Sequence, residues 1–211
     1  AEAPTGFEAM GVYTNIRWVY RTSEGAEMMD GMQVTAGVFD ALDVQPLIGR
    51  HLVPADDATG SPNVAVLGHA IWVSRFAADP GVLGLTLSLD GDPYTVVGVM
   101  PEGFVVPGSD GGVWASLPDS EWNDDRGSQS YTVLGRLREG ATVQSAPADL
   151  FRVQERLSEA YPDAQGDMRA RVEGLLSSMV GDVRATLVFL LAAVGLVLGI
   201  ACVNIANMLS V

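Results

Sequence analysis

There is no lysine among the 211 residues. That absence removes the phosphate-loop lysine of nucleotide hydrolases, Schiff-base chemistry and the Ser-x-x-Lys acyl-transfer motif. The chain by itself is expected not to hydrolyse ATP. Cysteine is reduced to Cys202, so a disulfide framework is impossible. Histidine is reduced to His51 and His69. A catalytic zinc site takes three protein ligands, and neither a His-x-x-x-His nor a cysteine spacing is present. Both histidines therefore read as ordinary side chains, with His69 at a helix start. Positive charge is scarce: 12 arginines stand against 26 acidic residues, for a net charge of −14. Nucleic acid needs clustered Lys and Arg, and anionic lipid headgroups need a basic face, so neither is an expected partner.

The last absence is local. From Ala185 to Val211 the sequence ATLVFLLAAVGLVLGIACVNIANMLSV carries no charge. A helix rises about 1.5 Å per residue, and roughly 20 apolar residues cross a hydrocarbon core. This run is long enough to span a bilayer with some tilt. All charge lies in 1–184, which reads as an acidic extramembrane domain on a membrane helix. The expected division is 1–176 for the domain and 177–211 for the juxtamembrane and transmembrane helix. The start has neither an initiator Met nor a signal peptide, and no basic cluster follows the helix. The expectation is a piece of a longer membrane protein.

Strand and helix signals alternate irregularly before that run. Val12–Arg21 mixes aromatic and β-branched residues and reads as a strand. Its hairpin partner lies in Glu27–Thr35, across a turn at Ser23-Glu24-Gly25. Gly37–Leu42 reads as a short helical turn with Phe39 and Leu42 inward, closed by Pro46. Asn63–Leu67 reads as a buried strand. His69–Ala78 reads as a helix with Trp72 and Phe76 on one face, ended by Asp79-Pro80. Leu85, Leu87 and Leu89 alternate with polar residues, as in a half-buried strand. Asp90-Gly91 is a hairpin turn signal. Tyr94–Met100 is apolar on both faces, as in a central strand, and Gly98 within it implies a bulge or a close backbone approach. Val113–Leu117 and Tyr131–Arg138 read as further strands, with 118–130 as loop. Leu150, Val153, Leu157 and Tyr161 form one stripe of an amphipathic helix capped by Thr142 or Ser145, the later one favoured by Pro147. Met168–Leu175 reads as a last strand, and a helix from about Ser177 runs on into the apolar segment. With no regular βαβ beat, the fold class is α+β.

No catalytic constellation stands out. Asp56-Asp57 and the group Asp119, Glu121, Asp124 and Asp125 are acidic enough for Ca²⁺. The EF-hand pattern fails because Asp124 stands where its glycine belongs, so solvated loops are the expectation. Arg50 is expected to make a structural ion pair. No Gly-x-Ser-x-Gly elbow is present, and nothing marks a carboxylate pair for glycoside cleavage. No cofactor, metal or catalytic residue is expected.

Three segments in order carry a resemblance: GVFDALDVQPLIGRHLVPADD, then VAVLGHAIWVSRFAADPGVLGLTLSLDGDPYTVVGVMPEGF, then VLGRLREGATVQSAPADL with VGLVLGIACVNIANML. The middle one is the specific part, through Trp72, Phe76, Asp79-Pro80, Gly84, Asp90-Gly91 and Tyr94 to Phe104. Over about residues 32–209 the chain resembles the MacB-like periplasmic core domain of FtsX-type ABC-transporter permeases, among them the duplicated permeases common in Acidobacteria. The resemblance implies a core domain outside the bacterial inner membrane and a helix from Arg184 returning through it. It also implies further helices of the same permease, a permease dimer and a separate ATP-binding subunit. Members are thought to act as mechanotransmitters, coupling ATP-driven motion to export or to a partner. Gly68 stands where a serine commonly caps the Trp72 helix, which weakens a cap. Ser210-Val211 stands where the family usually continues to a basic residue. A single-pass tethered sensor or binding module is the alternative.

Within the apolar run, Gly195, Gly199, Cys202 and Ala206 fall at spacings of four, three and four. At about 100° per residue they form one stripe of small side chains. Gly195 to Gly199 is the small-xxx-small pattern that lets helices approach closely in lipid. Asn204 points to the opposite side and Asn207 lies between. Polar amides facing lipid are costly, so both are expected to meet other helices. Packing on two sides favours a bundle over a lone tether.

Overall fold

A computed structural model describes residues 6–22, 25–109, 111–120, 131–148, 150–152, 155 and 172–209. The chain divides into two compact units, Ala1–Arg171 and Val172–Val211.

The first unit is built on one long strand. β1 (Phe7–Thr22) is 16 residues of mixed aromatic and β-branched sequence, the composition that suits a pleated, half-buried surface. It serves three neighbours. Its first half pairs antiparallel with β8 (Thr132–Leu137). From Tyr13 to Thr22 it pairs with β2 (Gly25–Val34). Near its end, Tyr20 and Arg21 pair with Leu89 and Ser88 of β5 (Thr86–Leu89). β7 (Val113–Ser116) then runs parallel to β2 and antiparallel to β4 (Val64–Leu67). β4 runs parallel to β6 (Asp92–Val99), which forms a hairpin with β5. The pairings thus close a circuit, β1–β2–β7–β4–β6–β5–β1, with β8 outside it and the short β3 (Ile48–Gly49) on β6. Parallel and antiparallel pairs are mixed, as the irregular order of elements implies.

Alternation divides the sheet's side chains between two cores. On β4, Ala65 and Leu67 join Trp18, Trp72, Leu87, Leu89 and Tyr94. Val64 and Val66 point the other way, to Tyr13, Met32, Phe39, Met100 and Trp114. That double burial is why the run 63–67 shows no polar alternation. β6 would lose this order at its glycine. Its register on β4 steps from Ala65↔Val96 to Val66↔Gly98, one extra residue. The bulge lets Val99 return to the core that holds Tyr94 and Val96. Gly98 is also a close approach: a Cβ there would stand 2.1 Å from the Arg50 carbonyl oxygen.

Two short helices cover the cores. α1 (Ala36–Leu42) buries Ala36, Val38, Phe39 and Ala41 and ends at Asp43 in a left-handed conformation, three residues before Pro46. α2 (His69–Phe76) places Trp72 and Phe76 in the first core. It has no side-chain cap at Gly68, whose N–H donates instead to the Gly112 carbonyl at 2.7 Å. It ends through left-handed Ala77 and Ala78. Asp79-Pro80 opens the next turn instead of closing the helix: the Asp79 carboxylate accepts from Gly81 N–H at 2.8 Å. Further along, Thr142 and Ser145 act together. Each backbone N–H donates to the other's hydroxyl, at 2.9 and 3.1 Å, and helical residues follow from Ala146.

Several expectations need correction. Leu85 lies outside β5 and is 47% exposed, because its backbone, not its side chain, is used: its carbonyl accepts from Val96 N–H. Residues 172–174 form no strand; the final helix, expected from about Ser177, begins at Leu175. Ser23 and Glu24, most of the 118–130 loop, residues 168–171, and Val153, Leu157 and Tyr161 lie outside the described residues.

The second unit is dominated by α3 (Leu175–Leu209), 35 residues long. At its start the Gly174 carbonyl accepts from Ser178 N–H, the first helical bond, and from the Ser177 hydroxyl. Side chains are described at 175–178, 188–203 and 205, and those from Val188 to Val203 are exposed. Among the described residues, no helix is long and apolar enough to cross a membrane. The membrane assignment of 177–211 thus rests on the sequence.

Candidate functional site

Gly195, Gly199 and Cys202 lie on α3 with open surroundings. A Cβ at either glycine would meet nothing within 4 Å, and the Cys202 thiol is free and exposed. Asn204, Ala206 and Asn207 are helical in the backbone, and their side chains lie outside the described residues.

The densest polar arrangement sits in the first unit, around the segment 50–57. The Arg50 guanidinium donates twice to Asp56, at 2.6 and 3.0 Å, and once to the His51 carbonyl. Asp56 is buried and also accepts from Val53 N–H at 2.8 Å. The two-pronged bond to Asp56 holds the Arg50 guanidinium above its usual range. The structural pairing expected of Arg50 is therefore present. Asp56 and Asp57 are not solvated loop residues, which corrects the sequence reading. Asp57 reaches across to the start of α1, where Ala36 N–H donates to both of its carboxylate oxygens, at 3.1 and 2.9 Å. An aspartate in another segment thus supplies the cap that Thr35, with no side-chain cap bond, does not. The Asp57 carbonyl accepts in turn from Asp119 N–H at 2.8 Å.

These contacts border an open cleft of about 610 Å³, lined by Glu8, Asp40, Asp57 and Asp119 with Met10, Val12 and Val133 among its apolar residues. Burial pushes Asp57 up to about 6. Asp119, Asp56 and Asp40 push in the same direction, against the Ala36 N–H. An adjoining hollow of about 300 Å³ shares Glu8 and Asp40 and includes Asp43 and His51. His51 stacks on Phe39, ring centroids 5.7 Å apart, with Nδ1 2.7 Å from the Leu52 carbonyl. His69 meets Trp72 edge to face at 5.7 Å. Among the described residues no group of three His, Cys, Asp or Glu could hold a metal ion. Nothing in the sequence marks Asp57 as the cap of a helix 21 positions upstream, because the partner is not local. The acidic pair alone was the visible signal.

The model for the MacB-like periplasmic core domain matches residues 1–152. No curated protein matches the chain. Among solved structures, the extracellular domain of the noncanonical ABC-type transporter YknZ from Gram-positive bacteria is similar, with a TM-score of 0.58 at 16% identity, covering 82% of this chain and 84% of that one. The periplasmic region of MacB from Actinobacillus actinomycetemcomitans gives a TM-score of 0.54 at 17% identity, covering 74% and 69%. A domain of a candidate permease protein from Porphyromonas gingivalis gives 0.51 at 17% identity, covering 81% and 77%. At these identities the likeness is one of fold. Family match and fold agree with the motifs around Trp72, Asp79-Pro80 and Asp90-Gly91, and the chain belongs to the MacB-like periplasmic core domain family of FtsX/MacB-type ABC transporter permeases.

Proposed function

We propose that this domain is a mechanical, non-catalytic part of its permease. It moves when a separate ATPase subunit binds and hydrolyses ATP at the cytoplasmic face, and that motion serves export or acts on a partner. The observation that carries the reading is the attachment of a family core domain to one continuous 35-residue helix. A helix of that length is stiff along its own axis, which suits it to pass on a displacement. From Val188 to Val203 that helix presents exposed apolar side chains, Phe189 at 78% and Leu191 at 71% among them. In this reading they face lipid or other helices of the same permease, the domain lies on the extracytoplasmic side of the inner membrane, and two permeases assemble as a dimer. With no lysine for a phosphate loop, these 211 residues leave the ATP chemistry to be supplied from outside them, in this reading by the separate ATPase subunit.

The experiment uses the transporter that contains this chain, reconstituted with its ATPase. Met28 on β2 is 56% exposed and accepts a cysteine-linked spin label. The distance between labels in the two copies is expected to change between nucleotide-free and ATP-trapped states. A distance distribution that stays fixed across those states would overturn mechanical coupling and favour the tethered binding module. The same cysteine is expected to react with a membrane-impermeant thiol reagent in intact spheroplasts. Labelling only after lysis would reverse the topology.

A further inference from the structure

The cleft around Asp57 gathers like charge. Among the described residues that line it, Glu8 comes from β1, Asp40 from α1, Asp57 from the segment after Asp56, and Asp119 from the segment after β7, with no Arg or His beside them. The neighbouring cations are engaged elsewhere. Arg50 is bound to Asp56, and Arg136 of β8 donates to the Ala41 carbonyl and lies 3.8 Å from Asp43, at the other end of α1. His51 faces Asp40 and Glu8 in the adjoining hollow. Asp57 is also a junction: its carboxylate receives Ala36 N–H and its carbonyl receives Asp119 N–H. One residue thereby fastens its own segment, the start of α1 and the segment after β7.

We propose that this junction makes the hold on α1 responsive to acidity, tight when Asp57 carries a proton and looser when it is ionised among Glu8, Asp40 and Asp119. Protonated, Asp57 keeps an oxygen for Ala36 N–H and adds no charge to the cleft. Ionised, it bonds Ala36 N–H more strongly but gives up hydration in a half-buried place, the largest cost, and then meets the charges of Asp119, Asp56 and Asp40. Burial, with those charges behind it, outweighs the Ala36 bond and raises Asp57 to about 6. The sign follows from linkage. A carboxyl whose folded value is raised gives a stabilisation fully present below its unfolded value, about 4, and lost as pH rises through about 6. A domain on the extracytoplasmic side meets the acidity of the medium directly, so the device acts where pH varies.

Hydrogen exchange of the full chain in detergent tests this, corrected for the intrinsic effect of pH on exchange. Between about pH 5 and about pH 7.5, protection of α1 amides is expected to fall roughly threefold, the half-buried position halving an ideal effect of about tenfold on the logarithmic scale, while β4 and β6 hold theirs. Asp57→Asn keeps an acceptor for Ala36 N–H and cannot ionise, so its α1 protection is expected to be flat over that range. Asp119→Asn removes one repelling neighbour without touching the cap and is expected to move the midpoint to lower pH. It also serves as the test if Asp57→Asn does not fold. A wild-type α1 with pH-independent protection, or an Asp57→Asn chain that keeps the dependence, would overturn the proposal, as would an unmoved midpoint in Asp119→Asn.

Discussion

Asp90 holds Val19 twice: its backbone N–H donates to the Val19 carbonyl at 3.0 Å, and its carboxylate accepts from Val19 N–H at 2.7 Å. A two-residue turn between β5 and β6 thereby closes the strand circuit onto β1, 71 positions away in sequence. Asp90 and Gly91 both have positive φ, 53° and 97°, as a type I′ turn requires.

Substitutions in that turn are expected to lower stability by separate routes. Gly91→Val forces a β-branched residue into left-handed space, at a cost of about 1–2 kcal/mol. Asp90→Ala adds the loss of an exposed hydrogen bond to a similar backbone cost, roughly 1.5–3 kcal/mol together. Shifts of the denaturant midpoint measure both. An unchanged midpoint for Gly91→Val would contradict the turn geometry.

Arg50→Met is expected to destabilise by about 1–3 kcal/mol, because Asp56 stays buried with its principal donor removed. Arg50→Lys keeps the charge but not the two-pronged geometry and is expected to fall between wild type and Arg50→Met. A double-mutant cycle with Asp56→Asn isolates the pair, and a coupling energy near zero would show that the two side chains act independently.

Gly98→Ala is expected to be among the most damaging single-methyl changes in the domain. The added Cβ would stand 2.1 Å from the Arg50 carbonyl and 2.9 Å from its carbon, both backbone atoms that cannot rotate away. Overpacking usually costs about 1–3 kcal/mol, and a backbone clash belongs at or above the top of that range. A variant with wild-type melting temperature would mean that β3 can separate from β6 at little cost.

These sites differ in how far the sequence announced them. The Asp90-Gly91 turn and the Gly98 bulge were legible because glycine in a strand and Asp-Gly between strands have local causes. The run 63–67 was legible as a buried strand for the same reason. Leu85 was misread because a period of two predicts a side-chain face, while the chain there uses only its backbone. The parallel pairing of β2 with β7 and the closure of the strands into a circuit left no local trace. Nor did the Asp57 cap on α1, whose donor and acceptor are neighbours only after folding. The cleft was legible only as scattered carboxylates, because its walls come from five separate segments.

The last prediction concerns α3. Gly195 and Gly199 stand one turn apart with open space where their side chains would be, so the helix presents a bare strip of backbone there. In lipid such a strip gains most from a second helix packed closely on it. Asn204 falls on another side of the same helix by its position, and an amide facing hydrocarbon is costly without a partner. If both faces are packed, Gly199→Leu blocks the close approach and Asn204→Leu removes the interhelical hydrogen bond. Each change makes the helix more apolar, so neither hinders insertion. In the transporter that contains this chain, both variants are expected to insert normally and to lower assembly or transport several-fold, read by co-purification with the ATPase and by substrate flux. Normal assembly and flux in both would leave this helix unpacked on two sides, and the argument for a bundle would fail with it.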